Sequence, residues 1–591
     1  MKKNFYLLGM LVAGLTFAGC TDDIDDASGS GVTSGDKGYV KIAINLPTTS
    51  GQVTRAAADG TGENDDFEKG EDREYDVNNA IIALFKATES EGVADETTAT
   101  FVTARGITLS NPSEPSGNVQ YRYEYTLDAV PMVEDNEQMY ALAILNNNGL
   151  FSVSSGDLKY GETVVTSYSV LAGLAITDKT NANDFINNGF LMLNAPISDI
   201  ASVTNGTPFS PKVTILAPVK VHEEDPSDMN NIAADPIYVE RAVAKVEVSV
   251  TGNGDNGDGT FSLPVTGADG HSIKFTRWAL NVTNKSSYIL RNVDDYRDWT
   301  GYYNGKALDQ TNRFFGSAAN PYRVYWAVDK NYSNNAADNF NQFNGATPNW
   351  KAMLNVTGDT HTTNVDYCFE NTMAANQQIQ GFTTGVLLEG KYAINGKTDV
   401  DLFTLGSSSA VYDETKMLEF INATLGKTGD DGYIFDGSSL IDGITIDTED
   451  EFIKYFKTKI GGIAMTSEDA QKLMADQSVA QINYYQKGKT YYWTRPIKHF
   501  GDYYTPIYRD GYQVDYYDNA GDYTENDHLG RYGVVRNNWY ELNITSVSGP
   551  GYPEIPEIPT DPGDPDDSGE GFVKMEINIL SWAKRQQDVE L

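Results

Sequence analysis

The side chains able to act as nucleophiles, metal ligands or proton carriers are two cysteines, five histidines and 83 carboxylates. A zinc centre or a catalytic base would need such groups at short, fixed spacings. The histidines (His222, His271, His361, His499 and His528) are scattered, and none has a second histidine at ligand spacing. HExxH, a glycine-rich phosphate loop and GxSxG are all missing. Carboxylate pairs abound in any chain this acidic, so none stands out as a glycosidase dyad. The run TGNGDNGDGT at 251–260 has the composition of a calcium loop. It lacks the required order of carboxylates and the closing glutamate, and it reads as a linker or wide hairpin. The expectation is a non-enzyme with no catalytic residue, no metal site and no cofactor.

Covalent chemistry is expected instead at two backbone positions. Lys2 and Lys3 precede an apolar stretch from Phe5 to about Ala18. That is shorter than the roughly 20 residues a membrane-spanning helix needs, so 1–20 reads as a signal peptide. Phe17-Ala18-Gly19-Cys20 resembles a lipobox, with Cys20 as the acylated first residue, and the acidic run at 21–26 resembles the surface-export signal of Bacteroidales lipoproteins. The precursor is therefore expected in the outer membrane, held by its lipid. Cys368 is then left alone, without a disulfide partner, as a small buried apolar side chain. The second position is Arg55-Ala56, in the polar stretch 48–74, where a trypsin-like protease would cut; Arg73 competes with it.

The elements around these positions are mostly strands. With 591 residues, two domains plus processed ends are expected. The chain is rich in Tyr and Gly, and short β-like runs recur between Gly/Asn/Asp turns, which predicts sandwiches rather than βαβ units. Formal charge −39 argues against nucleic acid as a partner. The expected division is a propeptide at 21–55 holding a removable strand, β-sandwich domains at 56–252 and 253–550, and a Pro-rich tether with a terminal strand at 551–591. A small helical insertion is predicted around 412–475, where DETKMLEFINATLG carries apolar residues at helical spacing. The aromatic stretch 484–518, with Tyr491, Tyr492, Trp493, Tyr503 and Tyr504, suits cross-strand packing or sugar stacking. The latter belongs to a second reading, a monomeric surface glycan-binding lipoprotein.

The two ends of the chain repeat one another. GYVKIAINL (38–46) and GFVKMEINI (571–579) share Gly, Val-Lys and Ile-Asn in register. Because side chains alternate along a strand, Val40, Ile42, Ile44 and Leu46 correspond in phase to Val573, Met575, Ile577 and Ile579. A cut after Arg55 would free the first strand, and another subunit's last strand would then fill the same groove by β-augmentation. That predicts a homopolymer.

Further signals run in order along most of the chain: VERAVAKVEV (239–248), YRVYWAVD (322–329), DYCFENTM (366–373) with Thr383-Thr384, NNWYELNITSVSGPG (537–551) and the tail ending Gln587-Asp588-Val589-Glu590-Leu591. In these the chain resembles the Bacteroidales type V fimbrillins, specifically the major subunit of the short (minor) fimbriae. The resemblance implies two transthyretin-like β-sandwich domains, lipoprotein export, cleavage at Arg55-Ala56 and donor-strand polymerisation through the C-terminal strand. It also implies a shaft subunit in an adhesive surface fimbria, with tip and anchor proteins as partners.

Overall fold

The computed structural model describes residues 37–46, 72–90, 92–109, 122–177, 188–198, 213–226, 232–250 and 261–293, and most of 324–353. It further describes nearly all of 365–499, then 530, 532–558 and the backbone of 573–581, with a few isolated positions besides. Cys20, Arg55, Ala56, Tyr503, Tyr504, His361, His528 and the run 251–260 lie outside the described residues. The expected mainly-β class is what the chain has, with four α-helices among the described residues.

The first core gathers around one hydrogen-bonded set of strands. They are β1 (Lys37–Asn45), β2 (Ala80–Ser90), β3 (Thr100–Ile107), β4 (Arg122–Pro131), β5 (Glu137–Leu145), β6 (Met192–Asn194), β7 (Ala217–Val219) and β8 (Asp235–Arg241), with a short helix α1 (Tyr168–Ala172) nearby. Their order is β2-β5-β6-β8-β1-β4, with β3 on β2 and β7 on β5. Runs such as Ala80–Phe85 are apolar at every position because both faces are covered.

The second core lies between two sheets. One has the order β12-β9-β18-β19, formed by β9 (Ala244–Val250), β12 (Val365–Cys368), β18 (Asn538–Val547) and β19 (Val573–Ser581). The other runs β10-β11-β13-β17 through β10 (Phe261–Pro264), β11 (His271–Asn281), β13 (Gly385–Ile394) and β17 (Lys489–Trp493). Val246, Val248, Leu542 and Ile544 from the first meet Phe275, Trp278, Leu388 and Tyr492 from the second. The chain passes between cores at Ala242-Val243, so Ala244–Val250, expected in the N-terminal domain, packs in the second core. The reason is that β8 and β9 form a nearly continuous extended run that crosses from one sheet to the other.

A third, smaller core forms a lobe of β14 (Leu402–Leu405), β15 (Ile444–Ile446) and β16 (Ile482–Tyr485) with α2 (Glu414–Leu425), α3 (Glu449–Tyr455) and α4 (Ser467–Ala475). Asp413, Thr448 and Thr466 cap the three helices through their side chains, and Gly426 ends α2 at φ 64°. The sequence predicts one helix over 448–462. It stops at Tyr455, because Phe456–Thr458 is claimed by pairing with Tyr433–Phe435.

Candidate strand-exchange site

β1 occupies a slot rather than an edge. It runs parallel to β8, with Ile44 opposite Ile237, and antiparallel to β4, with Ile44 opposite Tyr123. Val40, Ile42 and Ile44 are wholly buried and Leu46 nearly so, all four in the first core. At about 1.5–3 kcal/mol each, their burial contributes roughly 6–12 kcal/mol. The other face is not open to water throughout. Ala43 is fully buried opposite Glu124, where strict alternation predicts a polar face. Lys41 donates to the Ile232 carbonyl at 3.0 Å and lies 4.0 Å from Glu124.

The slot begins with a steric condition. Gly38 sits against Val221 and His222, just beyond the end of β7, and Tyr39 exchanges both backbone hydrogen bonds with His222 at 2.7 and 2.8 Å. A Cβ on residue 38 would stand 2.5 Å from the His222 carbonyl oxygen and 2.8 Å from Val221 Cγ1. Only glycine fits there without moving backbone. In the sequence repeat, Gly571 corresponds to Gly38.

Downstream of Arg55 the chain is pinned by a buried ionic knot. Glu74 and Lys245 are both fully buried, with Lys245 Nζ 2.8 Å from the Glu74 carboxylate. Tyr367 Oη donates to the same carboxylate at 3.0 Å, and Arg241 donates to the Glu74 carbonyl at 3.0 and 3.2 Å. Lys245 also stands 3.6 Å over the Trp539 ring, and Arg241 faces Tyr75. None of this is visible as a local motif, since Glu74 and Lys245 are 171 residues apart. Arg73 itself is exposed, yet the residue after it has no access to solvent.

At the other end, the backbone of β19 pairs antiparallel with β18, Ile577 opposite Leu542 and Ile579 opposite Tyr540. β18 in turn runs parallel to β9. The pair β9–β18 therefore repeats the pair β8–β1, and β19 lies beside β18 as β4 lies beside β1.

The remaining candidates are structural in their surroundings. Burial pushes the Cys368 thiol up, which suppresses the reactive thiolate. His271 and His499 each hydrogen-bond a tyrosine hydroxyl, Tyr392 and Tyr540, at 2.8 Å. Among the described residues, no three His, Cys, Asp or Glu side chains gather to hold a metal. Tyr491 and Tyr492 are buried, so neither presents a ring face to a sugar.

The family described as "Major fimbrial subunit protein type IV, Fimbrillin, C-terminal" matches residues 483–588. Over those residues the chain is similar to the fimbrillins. The matched region takes in β17, β18 and β19 together with the residues between the last two. No curated protein matches the chain. Among solved structures, a candidate cell adhesion protein from Parabacteroides distasonis is 11% identical, covering 93% of this chain and 99% of its own at TM-score 0.37. A fimbrial assembly protein from the same organism is 12% identical over 60% and 83%, TM-score 0.27. The tip fimbrial protein Mfa3 from Porphyromonas gingivalis, with a C-terminal truncation, is 11% identical over 92% and 100%, TM-score 0.28. Superpositions this loose fix neither fold nor role.

Proposed function

We propose that this chain is the shaft subunit of a cell-surface fimbria, made as a lipoprotein precursor and polymerised by donor-strand exchange. Lipid on Cys20 holds the precursor in the outer membrane. A trypsin-like protease cuts after Arg55, β1 leaves, and residues 571–579 of another subunit take its slot. Tip and anchor proteins complete the filament, which serves adhesion or biofilm formation.

The observation that carries this reading is the fit at the start of the slot. The position beside His222 admits only glycine, and the tail supplies Gly571 there, in phase with the apolar set Val573, Met575, Ile577 and Ile579. Chance likeness between two amphipathic strands would match the alternation but would not be expected to match a steric exception. The buried knot supports Arg55 over Arg73 as the cut. Proteolysis needs backbone on both sides of the bond to be available, and Glu74 and Tyr75 are both buried, with the Glu74 carbonyl and carboxylate hydrogen-bonded.

Trypsin treatment of the purified precursor tests the reading. The expected result is a new N-terminus at Ala56 and a ladder of oligomers on an unheated gel. A chain lacking residues 572–591 should be cut equally well and remain monomeric; a ladder from that truncated chain would refute the proposal.

A further inference from the structure

The Pro-rich stretch after β18 reads in sequence as a spacer, but its first ten residues are seated on the folded protein. Tyr492 Oη donates to the Gly549 carbonyl at 3.0 Å and Tyr485 Oη to the Gly551 carbonyl at 2.9 Å. Thr490 Oγ1 donates to the Pro550 carbonyl. Tyr491 and Tyr552 exchange both backbone hydrogen bonds, at 2.8 and 2.7 Å. Gly551 has φ 70° and lies against the Tyr491 carbonyl too closely for any side chain. Ile558 is buried with Val282, Phe340, Ile379 and Phe382, and Trp493 packs against that cluster.

The lobe forms the opposite wall. Gly443 approaches the Pro553 carbonyl so closely that a Cβ would collide with backbone there. The Thr445 backbone faces the Glu554 carboxylate. Asp442 ties that wall to β17, accepting from Lys489 Nζ at 3.0 Å and Tyr491 Oη at 2.9 Å. Gly549, Pro550, Gly551 and Pro553 are buried between the two walls.

We propose that the lobe and β17 form a clamp that holds residues 549–558 as a fixed part of the second domain, with Ile558 as the point from which the donor tail departs. This rests on the strand-exchange reading and adds a role for the lobe, which otherwise has none. The link from Ile558 to Val573 is then the fourteen residues 559–572. At no more than about 3.6 Å per residue, the fifteen steps from Ile558 to Val573 reach at most about 54 Å, against about 86 Å for the twenty-four from Gly549. A shorter link raises the tail's effective concentration at a slot within reach and limits the spacing between subunits.

Hydrogen exchange on the uncut precursor tests the clamp without requiring polymerisation. The amides of Tyr491 and Tyr552 should exchange at least a hundredfold more slowly than an unstructured chain, and a glutamyl endopeptidase should spare Glu554 and Glu557. Gly443→Val should speed exchange at Tyr552 at least tenfold and open both glutamates to cleavage. The double variant Tyr485→Phe/Tyr492→Phe keeps the rings and removes two donors. It should do the same to a smaller degree, and it covers the case in which Gly443→Val disturbs the lobe. Unprotected Tyr552 in the parent chain, or unchanged protection in the folded double variant, would overturn the clamp. Protection with no ladder after trypsin would leave the clamp standing and remove the strand-exchange reading instead.

Discussion

Gly38 lies so close beneath His222 that the absence of a side chain is a condition of the fit, 2.5 Å separating a would-be Cβ from the carbonyl oxygen. The same condition would fall on whatever strand occupies the slot. Gly571→Val is therefore expected to weaken the exchanged linkage by about 1–3 kcal/mol, the usual cost of overpacking. At 1.4 kcal/mol per tenfold, that is roughly 5- to 150-fold. Ladder formation after trypsin should fall accordingly, while the uncut variant keeps the parent's melting temperature. Gly38→Val should do the reverse, lowering the precursor's melting temperature and leaving the donor tail competent.

The knot at Glu74 makes a second prediction. Glu74→Ala leaves Lys245 buried without its counter-charge, which typically costs about 3–5 kcal/mol. A drop in melting temperature of several degrees is expected, together with a new tryptic cut after Arg73 as the backbone loosens. The double variant Glu74→Gln/Lys245→Met should recover much of the loss.

Asp329 is fully buried, and burial pushes its carboxyl up to about 7 against hydrogen bonds from the Thr372 and Asn331 backbones and Asn284. A carboxyl whose pKa is raised in the folded state stabilises when protonated. That contribution is full below about 4, the ordinary carboxylate value, and is lost as pH rises through 7. Compared with Asp329→Asn, the parent should lose stability between pH 5 and pH 8. Denaturant midpoints measured across that range check the sign.

Glu576 is the one position where the repeat changes chemical kind, since it matches Ala43. Ala43 is fully buried and opposite Glu124. Like charges directly across a strand pair are destabilising, and a carboxylate at this covered position adds a desolvation cost. Glu576→Gln should thus raise the temperature at which the ladder dissociates in detergent, more at low salt than at high salt.

Local pattern made much of the fold legible. The alternation in 38–46 predicts β1, and Asp413, Gly426 and the spacing of Met417 and Ile421 predict α2, whose ends fall at Glu414 and Leu425. What local pattern hides is produced by long-range contact. Ala43 looks like a polar-face residue until the slot covers it. Glu74 and Lys245 look like two more surface charges, and Tyr485, Thr490 and Tyr492 look like generic strand aromatics and hydroxyls until residues 549–552 lie across them. Proline in 550–556 correctly signals no regular element, but absence of helix and sheet is not absence of a seat.

The central claim is tested most directly by asking where residue 576 goes. Beside β18, Glu576 is opposite Asn543; in the slot it would be opposite Glu124, as Ala43 is now. Chains carrying Glu124→Cys with Glu576→Cys, and chains carrying Asn543→Cys with Glu576→Cys, should be oxidised before and after trypsin. Strand exchange predicts that the Glu124/Glu576 pair gives, only after cutting, a disulfide-linked ladder that survives boiling in detergent and vanishes on reduction. The Asn543/Glu576 pair should give no such ladder. Filaments that form while the Glu124/Glu576 cysteines stay unlinked would contradict the account.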